Sequence, residues 1–145
     1  RREEQETISE KSIKDLKILL VEDNELNMEI AEFVIQNEGA SVTKAWNGQE
    51  AVEIFQKSRS DEFDVILMDI MMPVMNGYEA AKMIRTLDRD DAKTVPIIAM
   101  TANAFTEDRL KSKESGMNEH IAKPIDAKLL VKVISEFVEN KEEDS

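Results

Sequence analysis

The chain contains no cysteine and only one histidine in 145 residues. The first absence removes disulfides, thiolate nucleophiles and cysteine-ligated zinc, and the second removes multi-histidine metal centres. Lack of cysteine also fits a cytoplasmic setting. No apolar run exceeds four or five residues, against the ~20 that span a bilayer. No signal peptide is visible, since the chain opens Arg1-Arg2-Glu3-Glu4-Gln5-Glu6. The first residue is not Met, and the chain reads as a piece of a longer protein. Basic residues are outnumbered: 19 Lys and Arg face 31 Asp and Glu, for a net charge of −12. That balance lacks the cationic face a direct nucleic-acid binder needs. What is present, 41% apolar and 34% charged residues, fits a soluble globular protein with one core.

Residues 1–16 are mostly charged, with Ile8, Ile13 and Leu16 as isolated apolar positions, and read as a lead-in or linker. Residues 17–139 read as one domain, and 140–145 as an acidic tail. Inside the domain, short apolar runs alternate with helical patterns. Lys17–Val21, Ser41–Ala45, Val65–Met68, Ile97–Met100 and Glu119–Ala122 are the expected strands. Leu26, Ile30, Phe33 and Val34 recur at i, i+4, i+7 and i+8, the spacing of one helix face. Further helices are expected over Gln49–Gln56, over Tyr78–Leu87, from a Thr106 cap to Ser115, and after Asp126. Five strand–helix repeats imply an α/β fold with a parallel sheet covered on both faces. The first, third and fourth strands are almost wholly apolar, as strands buried on both faces are. The second and fifth carry Ser41, Thr43, Lys44, Glu119 and His120, which suits edges. Order 2-1-3-4-5 satisfies both points: a flavodoxin-like, doubly wound, five-stranded sheet with five helices.

Ligands of such sheets bind beyond the carboxyl ends of the strands. Glu22, Asp23 and Asn24 follow the first strand, Asp69 the third, Thr101 to Asn103 the fourth, and Lys123-Pro124 the fifth. Three converging carboxylates repel unless a cation or proton intervenes. A hard divalent cation with oxygen ligands is the natural compensation. With a lysine and a hydroxyl beside it, that arrangement suits a phosphoryl group, and a carboxylate is the available nucleophile.

The set Glu22-Asp23, Asp69, Thr101 and Lys123-Pro124, each at a different strand end, resembles a response-regulator receiver (CheY-like) domain of a two-component system. The runs Ile18–Asn24, Asn47–Ala51, Asp69–Gly77 and Ala122–Ile125 match the motifs of that family, and the likeness covers roughly residues 15–139. The resemblance implies a phosphoacceptor in a His-to-Asp phosphorelay. It makes Asp69 the nucleophile that takes a phosphoryl group from a phosphohistidine. It implies Mg²⁺ (or Mn²⁺) on Asp23, Asp69 and the Met71 backbone carbonyl, with Glu22 acting through water. Lys123 would pair with Asp69 and then with the phosphoryl group, Thr101 would move to hydrogen-bond it, and Lys123–Pro124 would be cis. His120 stands where the family usually has an aromatic switch ring. Met71 and Asn103 occupy positions that influence phosphoryl lifetime. Leu26, Asn27, Ile30 and Ala31 on the first helix would meet a histidine kinase or phosphotransfer domain. The fourth helix, fifth strand and last helix would form the output face, where a homodimer could also form. The run Val21-Glu22-Asp23-Asn24-x-x-Asn27 resembles receivers fused to sensor kinases, so the preferred parent is a hybrid histidine kinase, with a membrane anchor outside this chain left open and a stand-alone regulator second.

Taken singly, these residues have plainer readings. Glu22 and Asp23 alone would be acids at a helix N-terminus, Thr101 a strand-end hydroxyl, Lys123 a surface lysine, His120 an edge residue, and Trp46 structural. Two other classes compete. A haloacid-dehalogenase-type phosphatase also uses a strand-end Asp, but it needs a second Asp at the position of Met71. A receiver-like docking module would act without phosphorylation. A P-loop is excluded, since no G-x-x-x-x-G-K-[ST] run occurs.

Overall fold

A computed structural model describes residues 12–102 and 109–144. Strands β1 (Lys17–Val21), β2 (Ser41–Ala45), β3 (Val65–Asp69), β4 (Ile97–Thr101) and β5 (Glu119–Ala122) form one sheet. All neighbours pair in parallel, in the order β2-β1-β3-β4-β5. The helices among the described residues are α1 (Glu25–Asn37), α2 (Gly48–Lys57), α3 (Gly77–Arg85), α4 (Asp90–Thr94), α5 (Arg109–Ser115) and α6 (Ala127–Asp144).

Strand alternation divides the core into two layers. Leu19, Val21, Ile66, Met68, Ile97 and Ala99 face α2 and α3, where Val52, Phe55, Ala81 and Ile84 meet them. Ile18, Leu20, Leu67, Ile98 and Met100 face α1 and α6, against Met28, Ile35, Leu130 and Ile134. Each of the larger side chains among these contributes about 1.5–3 kcal/mol by leaving water. The edges fall where polarity placed them, because β2 and β5 keep exposed residues while β3 and β4 are wholly buried. Ile13 is also fully buried in the second layer, so the end of the lead-in is anchored to the domain.

Among the described residues six helices stand where five were expected. The addition is α4, whose five residues Asp90-Asp91-Ala92-Lys93-Thr94 carry no apolar periodicity. Contacts from afar hold it. The Arg89 guanidinium grips Asp91 at 2.7 Å and donates to the carbonyls of Phe55, Ser58 and Arg59. Helix α5 begins at Arg109, and the expected Thr106 cap lies outside the described residues, as does Asn103. Among the described residues no helix is long and apolar enough to cross a membrane.

Candidate functional site

The end of β1 delivers the first acid. Glu22 N–H still donates to Ala45 O, continuing the ladder by one step. The side chain then turns inward, 1% exposed, and Oε2 accepts from Asn24 N at 3.1 Å. Asn24 in turn caps α1 by accepting from Asn27 N. Asp23 lies exposed beside it. Asp69 is the last residue of β3, also 1% exposed, and its Oδ1 accepts from Met71 N at 3.2 Å. Gly77 lies against it so closely that an added Cβ would sit 2.5 Å from Asp69 O. A side chain there would push the Asp69 backbone out of place.

The cation comes from β5. Lys123 N–H donates to Thr101 O at 2.8 Å, locking the two strand ends together, and the Lys123–Pro124 peptide is cis. Lys123 Nζ stands 3.3 Å from Asp69 Oδ1 and 3.4 Å from Glu22 Oε1. Both distances exceed the ~2.7–2.9 Å of a tight charged pair, so the ammonium is shared between two acids. Thr101 ends β4, 3% exposed.

Carboxylate oxygens of Glu22, Asp23 and Asp69 all lie within 4.8 Å of one another. Burial, and next the negative charge of Glu22, push the Asp69 carboxyl up to about 7, against the opposing pull of Lys123. One ammonium thus leaves three clustered acids under-neutralised. The donor set is all hard oxygen and fits a divalent cation such as Mg²⁺. The arrangement can hold a cation, present a carboxylate oxygen as nucleophile and neutralise an arriving phosphoryl group. The residue two after Asp69 is Met71, so the second acid that a dehalogenase-type phosphatase needs at that position is missing.

The sheet brings Glu22, Asp23, Asp69, Thr101 and Lys123 to one edge, with the Met71 backbone hydrogen-bonded to Asp69. His120 lies two register steps back from the Thr101 end of the sheet. It is paired with Ala99, while Thr101 is paired with Ala122. Its Nε2 is 2.6 Å from Ser112 Oγ of α5. On α1, Leu26 and Ile30 are exposed at 64% and 41%, and Asn27 is half-buried. Ala31 is buried and lines only the floor of a small groove beside Lys123 and Pro124. Sequence reasoning missed Phe33 as a surface residue: it is 70% exposed and extends the stripe of Leu26 and Ile30. Helical periodicity had put it on one face with Leu26 and Ile30, but it was not counted among the docking residues.

Strand order and the acidic strand-end pocket define a flavodoxin-like α/β protein built for phosphoryl chemistry. Within that class the chain belongs to the response regulator receiver domain family, whose model matches residues 18–135. It is a receiver domain of two-component phosphorelay signalling. It is 42% identical over 127 residues to hybrid signal transduction histidine kinase M of Dictyostelium discoideum, which covers 87% of the chain and 5% of that protein. Histidine kinase 1 of Arabidopsis thaliana is 35% identical, covering 87% of the chain and 13% of that relative. The chain thus spans only a small fraction of these kinases. It spans 94% of the response regulator DivK of Brucella anthropi, at 33% identity over 83% of the chain. Among solved structures, the receiver domain of a Pseudomonas aeruginosa sensor histidine kinase is 37% identical with a TM-score of 0.76, covering 86% of the chain and 98% of that domain. It was crystallised with magnesium in its active-site cleft.

Proposed function

We propose that Asp69 is the phosphoacceptor of this receiver. A carboxylate oxygen of Asp69 attacks the phosphorus of a phosphohistidine. The P–O bond forms as the P–N bond breaks, and the imidazole leaves with the electron pair. Lys123 neutralises the phosphoryl oxygens, and the Thr101 hydroxyl donates a hydrogen bond to one of them. Glu22, Asp23, Asp69 and the Met71 carbonyl are the residues that would hold Mg²⁺, which when bound supplies charge neutralisation for the transferred group. The observation that carries this reading is a buried carboxylate with an ammonium 3.3 Å away and two further carboxylates within 4.8 Å. The partner is a histidine kinase or histidine phosphotransfer domain, docking at Leu26, Asn27 and Ile30 of α1. Phosphorylation shifts a two-state equilibrium at the α5–β5–α6 face, with Thr101 and His120 as the moving parts. The parent is a hybrid histidine kinase. Two observations support that parent: the run from Val21 to Asn27 and the kinase relatives.

Intact mass after incubation with acetyl phosphate and Mg²⁺ tests the assignment. Wild type should gain about 80 Da, one phosphoryl group. The gain should vanish with EDTA and in Asp69→Asn. Persistent gain in Asp69→Asn would sink it.

A further inference from the structure

A concentration of positive charge lies at the end of the sheet opposite Asp69, where the parallel strands begin. Helix α3 starts at Gly77 beside Asp69 and finishes at that far end with Arg85. Helix α4 leads into the start of β4, and Gly116 to Asn118 lead into the start of β5. Between these segments and α5 opens a cleft of about 560 Å³, within the ~300–1,000 Å³ of small-ligand sites.

Arg85, Lys93 and Lys113 line the cleft, against one acid, Glu119. In a chain of net charge −12 that local excess runs against the whole. Each of the three stands in the last turn of its helix, a place that favours cations. Helix formation alone does not require three such ends to face one space. Elsewhere cations meet carboxylates: Lys44 meets Glu32, Arg89 meets Asp91, and Lys123 meets Glu22 and Asp69. Here the partners are neutral. The half-buried Arg85 guanidinium donates to the Gly116 and Ala92 carbonyls and to the Asn118 side-chain oxygen, at distances between 2.8 and 3.1 Å. Burial pushes it down to about 10. Lys93 Nζ donates to the Leu87 carbonyl at 2.6 Å. A partly buried cation that faces only dipoles is stabilised by any anion brought to it.

The lining sets the chemistry of that anion. An ammonium carries three N–H donors, and Lys93 spends one on Leu87. Two ammoniums in front of a guanidinium suit a ligand with several negative oxygens, which phosphate groups supply most densely. The lining holds no Phe, Tyr or Trp on which a nucleobase would stack. Ser112 and His120, 2.6 Å apart, form the floor, so an occupant bears on the contact between α5 and β5.

We propose that this cleft is a binding site for a compact small molecule with at least two phosphate groups and no base. Lys93 and Lys113 contact its oxygens, and Arg85 supplies the fixed charge behind them. The site needs no metal, and its charge is opposite in sign to that of the acidic pocket.

Calorimetric titration with pyrophosphate tests it, in metal-free buffer at low salt, so that no cation recruits the anion to Asp69. Wild type should bind one pyrophosphate with a dissociation constant of about 1 mM or tighter. Lys93→Glu and Lys113→Glu, at exposed positions, should each weaken binding at least about tenfold. Lys44→Glu makes the same charge change on β2, at the other edge of the sheet, and should stay within about twofold of wild type. His120 is the only histidine, so its ring signals in the proton NMR spectrum should shift as the cleft fills. Absence of binding at several times that concentration overturns the proposal. So does unchanged affinity in Lys93→Glu and Lys113→Glu, or an equal loss in Lys44→Glu, which would make net charge the sole cause. Unmoved His120 signals would place the anion elsewhere and overturn it too. Tighter binding of adenosine diphosphate than of pyrophosphate would overturn the choice of a ligand without a base.

Discussion

Asp69 shows how one residue's surroundings set its chemistry. Its carboxyl is pushed from 3.8 up to about 7, first by burial and then by Glu22. The native state without metal therefore holds a proton that the unfolded chain has released between about pH 4 and 7. Stability must fall as pH rises through that window, by at most ~4 kcal/mol. Urea unfolding in EDTA at pH 5 and pH 8 should show this loss in wild type and little of it in Asp69→Asn. A wild-type protein as stable at pH 8 as at pH 5 would contradict the account. Gly77→Ala should cost about 1–3 kcal/mol, as overpacking does, because the new Cβ meets Asp69 O and Ile70 Cα at 2.5 and 2.8 Å. Thermal unfolding checks that. The acids themselves were legible from their places after strands. That Glu22 rather than Asp23 is the interior one was not, since it depends on how the chain turns after β1. The left-handed backbone at Val74, with φ +69°, was likewise invisible, because valine carries no signal for it.

At the scale of elements, apolar pattern made most of the fold readable. Strands β1, β3 and β4 announced themselves by continuous apolar runs, and β2 and β5 by their polar residues. Helix α4 did not, because it exists through one side chain. Arg89 joins Asp91 to the C-terminal carbonyls of α2 and lies 4.7 Å from the centre of the Phe55 ring. Its hydrogen bond, more than any other cause, holds the Asp91 carboxyl below its usual range. The pair therefore adds stability above pH ~4, which is lost as pH falls through the lowered value. Arg89→Ala strands a buried carboxylate and should cost about 3 kcal/mol, read as a shift in the urea midpoint. Helix α5 is different again. Its buried side chains among those described are Ser112 and Ser115, while Leu110 is 66% exposed. An element seated on hydroxyls, one of them 2.6 Å from His120, has little apolar burial to hold it. Such elements open at low free-energy cost. Native-state hydrogen exchange should find α5 amides less protected than those of α3. The pairing of Ser112 with His120 could not be read from sequence, since α5 and β5 carry no periodic link between them.

The molecule as a whole is a two-layered core with an under-neutralised charge cluster at one edge. Its own cation should relieve the cluster. Millimolar Mg²⁺ should raise the unfolding temperature of wild type by mass action, and Asp23→Asn should weaken Mg²⁺ binding at least tenfold by losing one of the few charged ligands. Unchanged affinity would remove Asp23 from the metal site. The topology and the five strand-end residues were legible together because a parallel α/β sheet forces its loops to one edge. The burial that tunes them comes only with packing. The central claim is that Asp69 carries the phosphoryl group, and borohydride reduction tests it most directly. Protein phosphorylated with acetyl phosphate and Mg²⁺, reduced and mapped by peptide mass spectrometry, should contain homoserine in place of Asp69 and nowhere else. Homoserine at another acid, or a phosphoryl group that survives reduction with Asp69 intact, would contradict it.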